Sequence, residues 1–161
     1  MKYTMSVLVE NQPGVLSKVS GLFSRRGFNI DSLAVGTTED PAVSRMTIVV
    51  DGDEYIVEQV EKQLNKLIDV IKVRELAELD SISRELMLIK VKASAKTRGD
   101  ILDVVSVTGA KICDLSTKTI TVELCDTPER LEILQTLLTP FGVEEIVRTG
   151  TIAIEKGVKH Q

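Results

Sequence analysis

The sequence predicts an α+β chain made of two tandem βαββαβ units, and three observations carry that reading. Strand-like alternation and helix-like apolar spacing follow one another in the same order twice along the chain. Gly and Pro punctuate the boundaries, at Pro13-Gly14, Gly27, Pro41, Gly109 and Pro128. Between the two runs lies a short, polar, acidic segment, residues 77–83, without a strong period.

In the first unit, residues 3–10 alternate, with Met5, Val7 and Val9 on one face, and predict a strand. Pro13 supplies a helix-compatible φ at the first turn of a helix in which Val15, Leu16, Val19, Leu22 and Phe23 recur at helical spacing. Arg25 and Arg26 complement the helix dipole at its end, and Gly27 stops it. Residues 29–36 form a second strand, 37–41 a turn, and 43–50 a third strand with Met46, Ile48 and Val50 on one face. Asp51 with Glu54 resembles a capping box for a helix through Ile56, Val57, Val60, Leu64 and Leu67. Residues 70–76 close the unit as a fourth strand.

The order then repeats. Residues 85–93 predict a strand, 97–108 a helix rich in β-branched residues, and Gly109 its stop. Residues 110–115 and 119–125 predict a hairpin turning near Thr117. Thr127-Pro128-Glu129 opens a helix through Leu131, Leu134, Leu137 and Leu138, and a last strand falls within 143–155, bent at Gly150. Both units are ferredoxin-like, with domains at 1–76 and 84–161 joined by a linker at 77–83. Each copy is about 75 residues, near the lower limit for an independent core, so dimerisation would help both.

Composition excludes several functions. The 161 residues carry net charge −4, from 20 basic and 24 acidic residues, with no basic stripe for nucleic acid. Aromatics are 3% and Trp is absent, which removes base-stacking platforms. No apolar run approaches the roughly 20 residues that cross a bilayer. A strand pattern begins within the first few residues, so no signal or transit peptide is expected and cytoplasm is the expected compartment.

Catalytic signatures are missing. His160, the one histidine, stands next to the last residue, which argues against a catalytic triad and excludes a His/Cys metal cluster by count. Neither G-x-x-x-x-G-K-S/T nor G-x-G-x-x-G occurs. Helical carboxylates fall on polar faces beside Lys or Arg, and Ser17, Ser20 and Ser24 line a helix with no base in view. Cys113 faces about residue 121 in the hairpin, so it does not oppose Cys125, and the pair is expected to be two small buried hydrophobes rather than a disulfide.

The chemistry concentrates at Glu10-Asn11-Gln12-Pro13-Gly14-Val15-Leu16-Ser17 and at Gly27-Phe28-Asn29-Ile30-Asp31. Taken singly, each part has a structural explanation: Pro13-Gly14 as a strand-to-helix connection, Asn11 as a cap, Asn29 as a left-handed residue after a helix. Together they describe a small zwitterion site. N–H groups near Gly14, Val15 and Leu16 would receive a carboxylate, and no side chain at Gly14 blocks the approach. The amide oxygens of Asn11 and Asn29 would accept from an ammonium group, and Ile30 would bound an aliphatic pocket. A twofold pairing of two units would bring the helix-one turn of one against strand two of its mate.

These stretches, with Gly21-Leu22-Phe23-Ser24-Arg25-Arg26-Gly27-Phe28-Asn29-Ile30 and Ser44-Arg45-Met46-Thr47-Ile48, resemble the ACT domain of the regulatory small subunit family of acetolactate synthase (acetohydroxyacid synthase). The resemblance spans essentially the whole chain, specific in the first half and a matter of layout in the second. It implies a non-catalytic subunit that binds and activates the large catalytic subunit and confers feedback inhibition, usually by valine, in branched-chain amino acid biosynthesis. It implies effector contacts from Asn11, Gly14, Val15 and Leu16 of one protomer and Asn29 and Ile30 of its mate, in a homodimer formed through the ACT domains. Thiamine diphosphate, FAD and magnesium would belong to the catalytic partner, with no cofactor or metal on this chain. A bacterial form is implied, since plant-type relatives carry tandem copies of the whole subunit and a transit peptide and neither is expected here. Two other readings stay open: a stand-alone amino-acid-responsive regulator of another enzyme or of transcription, for which no DNA-binding element is seen, and a small ferredoxin-like enzyme or metal carrier, for which ligands are missing.

Overall fold

A computed structural model describes residues 1–157; His160 lies outside the described residues. Two compact units result, Met1–Ile82 together with the described residues from Thr151 onward, and Ser83–Gly150.

The first unit runs β1 (Lys2–Glu10), α1 (Val15–Arg26), β2 (Asn29–Thr37), β3 (Val43–Asp51), α2 (Glu54–Asn65) and β4 (Val70–Leu76). Its sheet has the order β2-β3-β1-β4, and the β1–β3, β1–β4 and β2–β3 pairs are antiparallel, so β2 and β4 are the edges. Alternation puts Met5, Val7 and Val9 of β1 and Met46, Ile48 and Val50 of β3 on one face, where they form a buried core with Val15, Val19, Leu22 and Phe23 of α1 and Val57, Val60 and Leu64 of α2. Phe23 meets Phe28 edge to face at a centroid distance of 5.8 Å. Gly27, left-handed at φ 68°, ends α1, and its N–H and that of Phe28 return to Ser24 and Phe23.

The second unit repeats the layout with β5 (Ser81–Lys92), α3 (Arg98–Thr108), β6 (Lys111–Leu115), β7 (Thr119–Asp126), α4 (Pro128–Leu138) and β8 (Val143–Arg148), in the sheet order β6-β7-β5-β8. Thr127 caps α4 by accepting from Arg130 N–H, as the sequence predicts. At the β5–β8 seam Arg148 donates through Nε and Nη2 to both carboxylate oxygens of buried Glu85, at 3.1 and 2.9 Å, and through Nη1 to Glu132 at 2.7 Å. Burial works against the guanidinium charge, but the bonds to Glu85 and Glu132 outweigh it, and the Arg148 pKa is raised. Arg148→Ala leaves the Glu85 carboxylate buried without this partner. It should cost about 2–4 kcal/mol in urea unfolding of this unit, against less than about 1 kcal/mol for Glu132→Ala at the exposed end.

Three boundaries differ from the expectation. The helix that Pro13 was to open begins at Val15, with Gly14 as its N-cap, so Pro13 lies in the preceding turn. The cap of α2 is Asp53, which accepts from Ile56 N–H at 2.9 Å, whereas Asp51 meets the N-terminal amine. Only Glu78–Asp80 of the expected linker is a separate 3-10 turn, because β5 already starts at Ser81.

The cysteine expectation is corrected in part. Cys113 does face Thr121, its Sγ lying 3.5 Å from the Thr121 carbonyl at a bulge, and both thiols are free. Both are exposed rather than buried. Strand β6 is an edge exposed along its length, and Cys125 alternates away from core-facing Leu124.

The C-terminal segment also differs. Residues 84–161 were expected to form one domain, but β9 (Ile152–Glu155), whose strand partner is β5, groups with the first unit. Thr151 N–H donates to Ser32 Oγ on β2 at 2.8 Å, and Glu155 pairs with Arg74 on β4 at 2.8 Å. These contacts lie on opposite edges of the sheet. Four residue steps of extended chain, about 13 Å, match three strand spacings of about 4.8 Å, so the segment straps across the face opposite the helices. Lys156 anchors its end through the carbonyls of Asp80 and Leu79. Beneath the strap Ser6, Thr47, Val49 and Leu76 are buried, together with Thr151 and Ala153 of the strap itself.

Candidate functional site

The turn from β1 into α1 follows from its residues. Asn11 is held by its N–H to Ala42 O (2.8 Å) and its Nδ2 to Pro41 O (2.9 Å), which leaves its Oδ1 free to accept. Gly14 stands at φ 87°, where a side chain is strained, and nothing lies within 4 Å of where its Cβ would be. The backbone is therefore approachable at that point. Lys18 N–H makes the first helical bond, to Gly14 O.

The donors are not quite those expected. Val15 N–H spends itself on Gln12 O at 3.4 Å, and the Val15 side chain is buried in the core. Gly14, Leu16 and Ser17 N–H have no acceptor among the described residues. Ser17 was missed as a donor; placing the helix start at Val15 makes it the third helical residue, whose N–H is always unpaired within the helix. No acidic residue sits in the first turn of α1, so its positive end is uncompensated and suits an anion. Leu16 is about half exposed beside it, at 46%.

Asn29 and Ile30 open β2, paired with Asp51 and Val50. Among the described residues none other than glycine has positive φ, so the left-handed explanation of Asn29 does not hold. Its side chain is exposed with no partner among the described residues, while Ile30 is half-buried against the core.

Within one chain the two groups do not meet. Glu10, beside the turn, pairs with Val43, while Asn29 shares Asp51 with Lys2 at the other end of β1. They are separated by the length of β1, about 26 Å at roughly 3.3 Å per residue. Each half carries ligand-type groups, and β2 is a sheet edge without a partner strand on its outer side in one chain.

A ferredoxin-like unit with an uncompensated helix start, a glycine bend and an open second strand defines an ACT-type regulatory domain. Comparison with known proteins assigns it more closely. Residues 5–72 match the family described as AHAS small subunit-like ACT domain, and residues 84–157 match the family described as small subunit of acetolactate synthase. The acetolactate synthase small subunit of Mycolicibacterium smegmatis is 55% identical over 96% of this chain and 91% of its own length. The probable acetolactate synthase small subunit of Archaeoglobus fulgidus is 50% identical over 99% of each. The crystal structure of the acetolactate synthase small subunit from Thermotoga maritima superposes with a TM-score of 0.91 at 39% identity, over 99% of both chains. The chain belongs to the acetolactate synthase small subunit family.

Proposed function

We propose that this chain is the non-catalytic regulatory subunit that binds the acetolactate synthase catalytic subunit, raises its activity and makes it sensitive to valine in branched-chain amino acid biosynthesis. The observation that supports this reading is the separation of the two half-sites by about 26 Å on a unit whose second strand is a free edge. Two β2 strands paired antiparallel about a twofold axis carry Asn29 of one copy to the Asn11–Ser17 turn of the other, twice per dimer. The effector carboxylate then meets the Gly14, Leu16 and Ser17 N–H groups, its ammonium meets the Asn11 and Asn29 oxygens, and its branched side chain lies along Ile30 and Leu16.

Valine acts by binding one dimer geometry better than another, with a coupling of about 1–3 kcal/mol. Thiamine diphosphate, FAD and magnesium reside on the catalytic partner, and the assembly works in the cytoplasm. Among the described residues no helix is long and apolar enough to cross a membrane, and no cluster of three His, Cys, Asp or Glu residues is placed to hold a metal.

The test is a valine titration of the catalytic subunit with and without this chain, beside leucine and isoleucine. Activity should rise on adding the chain and then fall with valine, by about 5–150-fold in apparent affinity between states. An enzyme equally active and equally insensitive in both arms would refute the assignment.

A further inference from the structure

Among the described residues Arg45 is a cation without a counter-ion. It stands on β3, on the sheet face opposite the helices, in a row with Gly36 on β2, Leu8 on β1 and Lys72 on β4. The strap from Thr151 to Glu155 covers the two rows below, at Ser32 and Arg74, and not this one. The Arg45 Nε is buried with no hydrogen-bond partner, and among the described residues no carboxylate forms an ion pair with the side chain. A buried donor left in this state calls for an acceptor from elsewhere.

The edge strand supplies a candidate of the right charge. Asp31 occupies a bulge between Ile30 and Ser32, and its carboxylate lies 3.1 Å from Lys2 Nζ. Lys2 alternates with Thr4, Ser6 and Leu8, so Asp31 is turned toward the same face as Arg45. Its pair with Lys2 is exposed and contributes little, so it leaves the carboxylate able to bind a second cation.

We propose that Arg45 pairs with Asp31 of a second copy across the β2 edge, and that this bridge sets the register of the dimer. The inference rests on the β2-edge pairing described under the proposed function. With Leu33 on the axis, antiparallel pairing lays Thr37 against the partner's Asn29 and Gly36 against the partner's Ile30, which puts the partner's Asp31, the bulged residue, one position along from Gly36. Two strand spacings, about 10 Å, then separate β3 from the partner's β2. An arginine and an aspartate side chain span that distance together, and Gly36, the residue in between, has no side chain to obstruct them. A slip of two residues would break both symmetric bridges and carry the partner's Asn29 away from the Gly14 turn. The bridge is therefore a positioning device for the effector site rather than a contact to the ligand.

Charge reversal tests it without a double variant. Arg45→Asp homodimers face two like-charged carboxylate pairs, and Asp31→Arg homodimers two like-charged guanidinium pairs. Each should raise the dimer dissociation constant by roughly tenfold or more in sedimentation equilibrium at low salt. Mixing the two variants creates two correct bridges, so a heterodimer of parental affinity should form, visible by native mass spectrometry. Circular dichroism checks that each variant is folded. Where one is not, the neutral Arg45→Gln and Asp31→Asn replace them, and the dissociation constant should lose most of its salt dependence. Folded variants as dimeric as the parent, or a mixture that recovers nothing, overturn the bridge while the β2-edge reading stands. Loss of catalytic-subunit binding from Arg45→Asp with an unchanged dimer assigns the arginine to the large subunit and also overturns it. A monomeric parent refutes the underlying reading and the bridge together.

Discussion

Gly14→Asp should leave the chain folded and able to activate its catalytic partner, yet raise the valine needed for half-inhibition by at least about a hundredfold. The position is open, since nothing within 4 Å meets a Cβ there, so the variant creates no clash. The backbone at φ 87° does penalise a side chain, by about 1–2 kcal/mol. Aspartate tolerates that region better than most residues, and its charge at the positive end of α1 returns about 0.3–1 kcal/mol. The net cost to stability is small. For the ligand it is large: two carboxylates about 4–5 Å apart repel by roughly 3–4 kcal/mol at an effective dielectric of 20, which exceeds two orders of magnitude in affinity. Gly14→Ala is the control, because it carries the same backbone strain without the charge and should keep most of the valine response. The reconstituted enzyme reports both properties in one titration. If Gly14→Asp remains as valine-sensitive as the parent while still co-purifying with the catalytic subunit, the turn is not where the effector binds.

Much of this site was legible because it is local. Pro13-Gly14 ahead of apolar residues at helical spacing marks a helix start, and unpaired N–H groups come with every such start. The βαββαβ order came from alternation and spacing, each a short-range signal. Where the reading slipped by a residue, it did so on equivalent chemistry: Asp51 and Asp53 are both credible caps, and only the backbone selects Asp53. Val15 was expected to donate, but the tight turn closes its N–H onto Gln12, a contact that no residue type announces. Cys113 and Cys125 look apolar by composition and lie exposed, because exposure in β6 and β7 depends on which face and which edge they occupy.

The strap was illegible for a different reason. One last strand was expected within 143–155, bent at Gly150, but the chain divides there into β8 and β9. The alternation of Ile152 and Ile154 with Ala153 in β9 would suggest that the isoleucines face inward. They are instead about 60% exposed, and it is Ala153 that packs on the sheet. The crossing strand runs close over a face that already carries Ser6, Thr47 and Val49, so only a small side chain fits between. Ser6 and Thr47 in turn read as the solvent side of their strands. That reading lacked a partner more than a hundred residues away, which no local pattern encodes.

A chain ending at Gly150 should therefore lose stability in its first unit, not its second. Removing the strap exposes Val49 and Leu76 and deprives Ser32 and Arg74 of the Thr151 and Glu155 contacts. Full burial of one such apolar side chain is worth about 1.5–3 kcal/mol, and each keeps part of its cover, so the expected loss is about 2–4 kcal/mol. Amide hydrogen exchange locates it. Protection should fall across β1 to β4 and where β5 pairs with β9, and persist in the rest of the second unit, because the second core, built on Met87, Ile89, Ile120, Leu131 and Leu134, includes none of the deleted residues. Unchanged protection in β1 to β4 would show that the strap only rests on the sheet. The outcome also governs how the effector domain can be dissected. A fragment ending near Ala77 lacks the strap as surely as the truncated chain does, so a lost valine response in it would report a weakened sheet as readily as a missing domain. Rejoining residues 151–157 to that fragment through residues 78–83 and a flexible linker separates the two causes, since it restores the cover over Val49 and Leu76 without restoring the second unit.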